Sequence, residues 1–263
     1  MTSTLLWLHT QFWTPVRFWT LPGIFYFYLI CSVLSDLCYC MGLKYAYRTM
    51  EMSTAYPMMR ALPLLLTAAV TSLTGWGEPL KPLALLGMLI VFVGCLMMPL
   101  SDFSHFKLKD YISSRMFFIF LVACGTTGYT IFDSQAQAVL RAAEPDVIKP
   151  VISLTFYSTR GILLGCALLM LVAAMPLERK SFVEIFRQRN LMPVWAGLCA
   201  SLTYTLVLLA MNYVSNVSYV QVFRQLGLIF GMAGGIFILK ERFSLPKVVG
   251  VLLILGGLAI TVI

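Results

Sequence analysis

The chain has 263 residues, of which 60% are hydrophobic and 11% are Asp, Glu, Lys or Arg, with a formal net charge of +8 and a mean hydropathy of +0.87. An average soluble domain carries roughly 25% charged residues, so this composition excludes a water-exposed globular enzyme and makes the bilayer the solvent. At about 20 apolar residues per crossing the chain has room for roughly eight to ten transmembrane helices, and its unbroken apolar runs exclude the alternating ten-residue segments of a membrane barrel.

Residues 1–22 are aromatic and are interrupted by Pro15 and Arg17, which predicts an interfacial or partial helix. The first clear span runs from Gly23 to about Tyr47, the second from about Ser53 to Thr74, and the third from Pro82 to Leu100. Residues 23–100 thus form a first block of three helices. A polar linker follows at 101–115, carrying Asp102, His105, Lys107, Lys109 and Asp110. Residues 116–263 then hold five spans, near 116–139, 149–175, 192–213, 216–238 and 246–263, separated by polar turns.

The two blocks end on the same pattern. Arg60 is followed by Glu78, Gly87 and Gly94, and Arg224 by Glu241, Gly250 and Gly257. Pro82 and Pro246 precede the last helix of each block, and both glutamates stand nine and sixteen residues before their glycines. This ordered set predicts an all-α polytopic membrane protein built from an inverted repeat of a five-helix unit, its first copy shortened to three clear helices. Repeats with an odd number of helices insert in opposite orientations, the architecture of alternating access. Two explanations fit the shortened first repeat: a genuinely shorter protein, or a start placed downstream of the true one.

The segment from Tyr56 to Pro63, the Gly77-Glu78-Pro79-Leu80 turn, Gly87 with Gly94, and the echo in Lys240-Glu241-Arg242-Phe243-Ser244 with Gly250 resemble the EamA-like branch of the drug/metabolite transporter superfamily. The resemblance covers about residues 26–263. It implies ten helices in two inverted repeats around a central cavity that moves small metabolites or drugs. The chain departs from that pattern at its amino end, where the first helix and most of the second are missing.

Loop charge sets the topology. The loops after the first span and at 101–115, 176–191 and 240–247 hold eleven Lys and Arg, whereas the opposite set holds only Lys81, Arg141 and Lys149. Basic loops stay inside, which predicts a multi-pass protein of the inner (plasma) membrane with its carboxyl terminus outside, opposite to the usual picture for the family it resembles. The bases are accounted for as topology signals, so no nucleic-acid partner follows from the net charge. The expected partners are the bilayer, a small-molecule substrate and a second copy in a homodimer, the last through small-residue faces on 82–100 and 246–263.

Charged groups within spans are expensive in lipid and should face protein or a cavity. Asp36, Lys44, Arg60, Asp133, Arg160 and Arg224 are such groups. Arg60 and Arg224 occupy equivalent repeat positions and could clamp a carboxylate or phosphate between walls supplied by Tyr56, Tyr219 and Phe223, favouring an anionic or zwitterionic solute. The competing reading has each arginine locked in a structural pair. Gln137 lies on the most polar span, 116–139, and joins Tyr56, Arg60, Asp133, Arg160, Tyr219 and Arg224 as a cavity candidate. Asp36 and Asp133 are the candidates for proton coupling, with pairing to an arginine as the alternative. The prolines Pro57 and Pro63 can bend their helix and free carbonyls for a polar ligand, while the seven-spaced glycines favour close helix packing.

His9 and His105 are the only histidines, and the seven cysteines fall inside apolar runs without a CxxC pair. No metal site, cofactor or catalytic constellation is expected, which argues against an enzyme. The expected function is a secondary transporter of a small organic metabolite or drug, exporting or importing, with proton coupling as one energy source. The alternative is a non-transporting membrane structural or assembly protein derived from a transporter repeat.

Overall fold

The computed structural model of the protein describes residues 20–50, 52–98, 100, 116–188, 191–237 and 244–262. The segment expected to lie at the interface, except for Thr20 to Pro22, and the linker at 101–115 fall outside the described residues, as do Lys240 to Phe243. The described residues form ten helices: α1 (Gly23–Thr49), α2 (Met52–Thr74), α3 (Pro82–Met97), α4 (Met116–Ala143), α5 (Lys149–Ala174), α6 (Pro176–Arg187), α7 (Met192–Met211), α8 (Val217–Phe223), α9 (Leu226–Phe237) and α10 (Leu245–Val262). Six of these helices, α1, α2, α4, α5, α7 and α10, are long and apolar enough to cross a bilayer. The protein is therefore an all-α polytopic membrane protein.

Three expectations change in detail. α3 has only 16 residues, about 24 Å at 1.5 Å per residue and short of a hydrocarbon core of about 30 Å. The single span expected at 216–238 is broken into α8 and α9 at Arg224 and Gln225. Part of the polar connection at 176–191 is helix α6, joined to α5 through Met175.

Local chemistry sets these boundaries. Proline occupies the first turn of α3, α5 and α7, where its missing N–H costs nothing. α2 ends on Gly75 and Gly77, both at positive φ (68° and 97°), which side chains with a Cβ rarely adopt. A Cβ on Gly77 would also lie 2.9 Å from the Ser215 carbonyl oxygen.

The described chain divides into two compact units. One, here unit 1, takes residues up to Leu37 with Phe132–Tyr213, and unit 2 takes Cys38–Ile131 with the residues from Val214 onward. In unit 1, Phe25 of α1 meets Phe156 of α5 edge to face at 6.3 Å, and Tyr28 stacks on Phe132 of α4 at the same separation. α7 leaves Trp195, Leu202 and Leu206 exposed, which in lipid carries no hydrophobic penalty.

Unit 2 has its main core between α2, α3, α8, α9 and α10, with Leu64, Met88, Val91, Val222 and Ile254 fully buried. A second cluster joins Ala46, Ala55, Met58, Ile119 and Val122. There Gly42 lets α1 approach the backbone of α4, since a Cβ would sit 2.9 Å from the Val122 nitrogen.

Candidate functional site

The sequence-predicted residues separate into two groups. Asp36, Asp133, Gln137 and Arg160 belong to unit 1, and Tyr56, Arg60, Tyr219 and Arg224 to unit 2.

In unit 1 the centre is Arg160 of α5, 4% exposed. Its Nη2 donates to Asp36 Oδ2 at 2.7 Å, and its Nε is shared between Ser32 Oγ at 2.8 Å and Asp133 Oδ1 at 3.1 Å. Ser32 stands one helical turn before Asp36 on α1, so the two reach the same guanidinium. Asp133 is fully buried and also accepts from the Ser32 hydroxyl and from the Tyr204 hydroxyl of α7. The Arg160 guanidinium lies over the Tyr204 ring, 5.0 Å from its centroid. Two carboxylates, two hydroxyls and one guanidinium thus tie α1, α4, α5 and α7 together. Such density of charge-assisted bonds offsets the several kcal/mol that desolvating each ion costs.

Gln137, one turn beyond Asp133 on α4, enters a separate network. Its Oε1 accepts from Ser153 Oγ at 3.1 Å and from Asn212 Nδ2 at 2.7 Å, and its Nε2 lies 3.8 Å from the Met211 sulfur. Asn212 Nδ2 also reaches Ser153 Oγ at 2.6 Å, while its Oδ1 accepts from Arg141. All the hydrogen-bonding atoms of the Gln137 and Asn212 amides are used, so this network specifies how α4, α5 and the end of α7 pack.

In unit 2 the site gathers around α2, which carries two prolines, and the break between α8 and α9. Pro57 and Pro63 lie inside α2, and each removes an N–H, leaving the carbonyls of Ser53 and Met59 without their usual donor four residues on. Arg60, between the prolines, donates to the Tyr56 hydroxyl at 3.2 Å, with its guanidinium 5.4 Å from that ring's centroid. Arg224 stands at the break between α8 and α9. Its Nη1 donates to Gln221 Oε1 at 3.1 Å and its Nη2 to the Tyr129 hydroxyl of α4 at 3.3 Å. The Tyr129 ring meets Tyr39 of α1 edge to face at 5.8 Å.

Gln225 Nε2 donates to the Arg60 carbonyl at 3.1 Å, which fastens the α8–α9 break to α2 beside Arg60. Tyr56 and Tyr219 pack against one core cluster. The structure therefore brings Tyr56, Arg60, Tyr219 and Arg224 into one region of unit 2. Phe223, a predicted wall, is 40% exposed.

Sequence reasoning missed Ser32, Ser153, Tyr204 and Asn212 in unit 1 and Tyr39, Gln221 and Gln225 in unit 2. Four-residue spacing from a predicted charge offered a signal for Ser32, before Asp36, but nothing local singles out Tyr204 in its apolar run.

Chemically the unit 2 site is a set of hydrogen-bond donors and aromatic faces. Among the described residues no group of three or more His, Cys, Asp or Glu is placed to hold a metal ion, and the seven cysteines are free thiols. Such a set of groups can offer hydrogen bonds and a ring face to a polar solute, and among the described residues of this region no nucleophile stands beside a base.

A family model described as "Sugar transport protein" matches residues 16–263. No curated protein matches the chain. The family match corrects the resemblance to the EamA-like branch of the drug/metabolite transporter superfamily. The residues behind that resemblance are glycines, prolines, the neighbours of Arg60 and two short charged stretches at Glu78 and Lys240-Glu241-Arg242, which report how membrane helices pack and turn rather than what they carry. The protein is a multi-pass membrane transport protein. Nearly its whole length places it within one group: the chain belongs to the sugar transport protein family.

Proposed function

We propose that the chain is a secondary transporter of sugars that works by alternating access, with Arg60, Arg224 and the surrounding tyrosines forming its solute site. The observation that carries this reading is the family match over residues 16–263. The chemistry of unit 2 supports it. A sugar presents pairs of hydroxyls, which suit the forked donors of a guanidinium, and an apolar C–H face, which suits a tyrosine ring. Among the described residues Arg60 makes no ion pair, and the one hydrogen-bond partner of its guanidinium is the Tyr56 hydroxyl. Its remaining donors are available to the hydroxyl oxygens of a solute. The break at Arg224 follows the general pattern of carriers whose binding sites sit at interrupted helices.

The inverted repeat gains support from α3 and α10. Gly87 and Gly94 of the first block correspond to Gly250 and Gly257 of the second, yet Gly87 packs on Gly257 and Gly94 on Gly250. That crossed pairing is what a two-fold relation between two copies of one helix produces. Asp36 and Asp133 both bind Arg160, which favours for them a role in holding the helices of unit 1 over one in carrying protons.

The test is uptake of labelled D-glucose and D-ribose by proteoliposomes containing the full chain, with and without an imposed pH gradient. Saturable uptake by the native chain that falls in Arg60→Ala and Arg224→Ala supports the proposal. Folded protein that moves neither sugar rejects the cargo, and uptake unchanged in both variants rejects the site.

A further inference from the structure

Gln225 is held in a way its neighbours do not explain. Its backbone N–H donates to the Val222 carbonyl at 3.0 Å, three residues back, so the Gln221 carbonyl loses the donor that a regular α-helix would give it. The Gln225 side chain supplies the replacement. Its Nε2 donates to the Gln221 carbonyl at 3.2 Å and to the Arg60 carbonyl at 3.1 Å.

Both partners are carbonyl oxygens, which only accept, so the nitrogen must face them and the amide cannot be turned over. The orientation of Oε1 follows. It belongs to a side chain of 0% exposure and has no hydrogen-bond partner among the described residues. Thr130 Oγ1 and Thr155 Oγ1 share that condition, but a hydroxyl rotates, whereas the Gln225 oxygen is fixed by the two bonds on its nitrogen. A buried acceptor without a donor is costly inside a membrane protein and calls for an explanation. This one adjoins Arg224 at the interruption between α8 and α9.

We propose that Gln225 Oε1 is the acceptor for a hydroxyl group of the transported solute, so that the α8–α9 break selects polyhydroxylated solutes against their deoxy counterparts. This rests on the sugar-transport reading given above. A site built to bond a hydroxyl rejects the analogue lacking it, because its own polar group is then left unpaired.

The experiment measures binding to the full chain in liposomes of D-glucose, D-ribose and their monodeoxy analogues, for the native protein and for Gln225→Met. The expected result is one deoxy analogue bound about tenfold more weakly than its parent by the native protein. Gln225→Met should weaken the parent by a similar factor and leave that analogue unchanged. Equal weakening of the parent and every analogue would make Gln225 a helix-break residue only and overturn the proposal, as would a parent affinity that does not change. Should Gln225→Met fail to fold, the native chain with 13C-labelled glutamine provides the readout. The Gln225 side-chain carbonyl then shifts on binding the parent and not the critical analogue; no shift with any bound sugar overturns the proposal. Binding of neither sugar nor any analogue overturns the sugar reading itself, which separates the two failures.

Discussion

Gly87 and Gly257 each occupy the space where the other's side chain would begin: a Cβ on Gly87 would lie 2.6 Å from the Gly257 carbonyl oxygen, and a Cβ on Gly257 would lie 2.7 Å from that of Gly87. Gly94 and Gly250 repeat the relationship at 2.8 Å in both directions. These obstacles are backbone atoms, so a methyl group must push α3 and α10 apart. Gly87→Ala should destabilise the protein by about 1–3 kcal/mol, read from unfolding in mixed micelles. Gly165→Ala and Gly197→Ala, where nothing lies within 4 Å of the added carbon, should stay within about 0.5 kcal/mol of the native chain.

The Arg160 cluster predicts a graded response. Asp133 is fully buried and accepts from Arg160, Ser32 and Tyr204, so Asp133→Ala leaves a buried guanidinium short of a counter-charge. We expect a loss of about 3–5 kcal/mol in the same unfolding measurement. Asp36, at 13% side-chain exposure, should cost less when replaced by alanine, because water reaches part of its partner's field.

Arg60→Ala should reduce sugar uptake by tenfold or more, about 1.4 kcal/mol or greater, while leaving the unfolding free energy within about 1 kcal/mol, since Arg60 is partly exposed and forms no ion pair among the described residues. Arg60→Lys should recover only part of the uptake, because an ammonium cannot reproduce the forked donor geometry. A large stability loss without a change in uptake per folded molecule would place Arg60 in packing.

Asn216 does two jobs at the start of α8. Its Oδ1 accepts from the Ser218 N–H at 2.9 Å, and its Nδ2 donates to the Glu78 carbonyl at 2.9 Å. Asn216→Asp keeps the first bond and loses the second, whereas Asn216→Ala loses both. The alanine variant should be less stable by about 1–2 kcal/mol, with the aspartate variant between it and the native chain.

The sequence by itself determined the solvent, the helical class and most helix positions, because hydropathy over a 20-residue window is a property of the segment alone and needs no partner. It also marked Gly87, Gly94, Gly250 and Gly257 as contact residues, since a seven-residue interval returns to one face of a helix whatever lies opposite. It did not show that Gly87 would meet Gly257 rather than its counterpart Gly250, nor that the run at 216–238 would break beside Arg224. Nothing in that run is a strong helix breaker at the break itself; the bonds from Gln225 to the Gln221 and Arg60 carbonyls support it there, and Arg60 is 165 residues away in the chain. The partners of Arg160 were equally hidden: Asp36, Asp133 and Tyr204 come from three other helices, and only their packing decides which acid meets which base. Local hydropathy places each helix in the membrane, while the pairing of its few polar groups depends on distances that exist only after the helices have met.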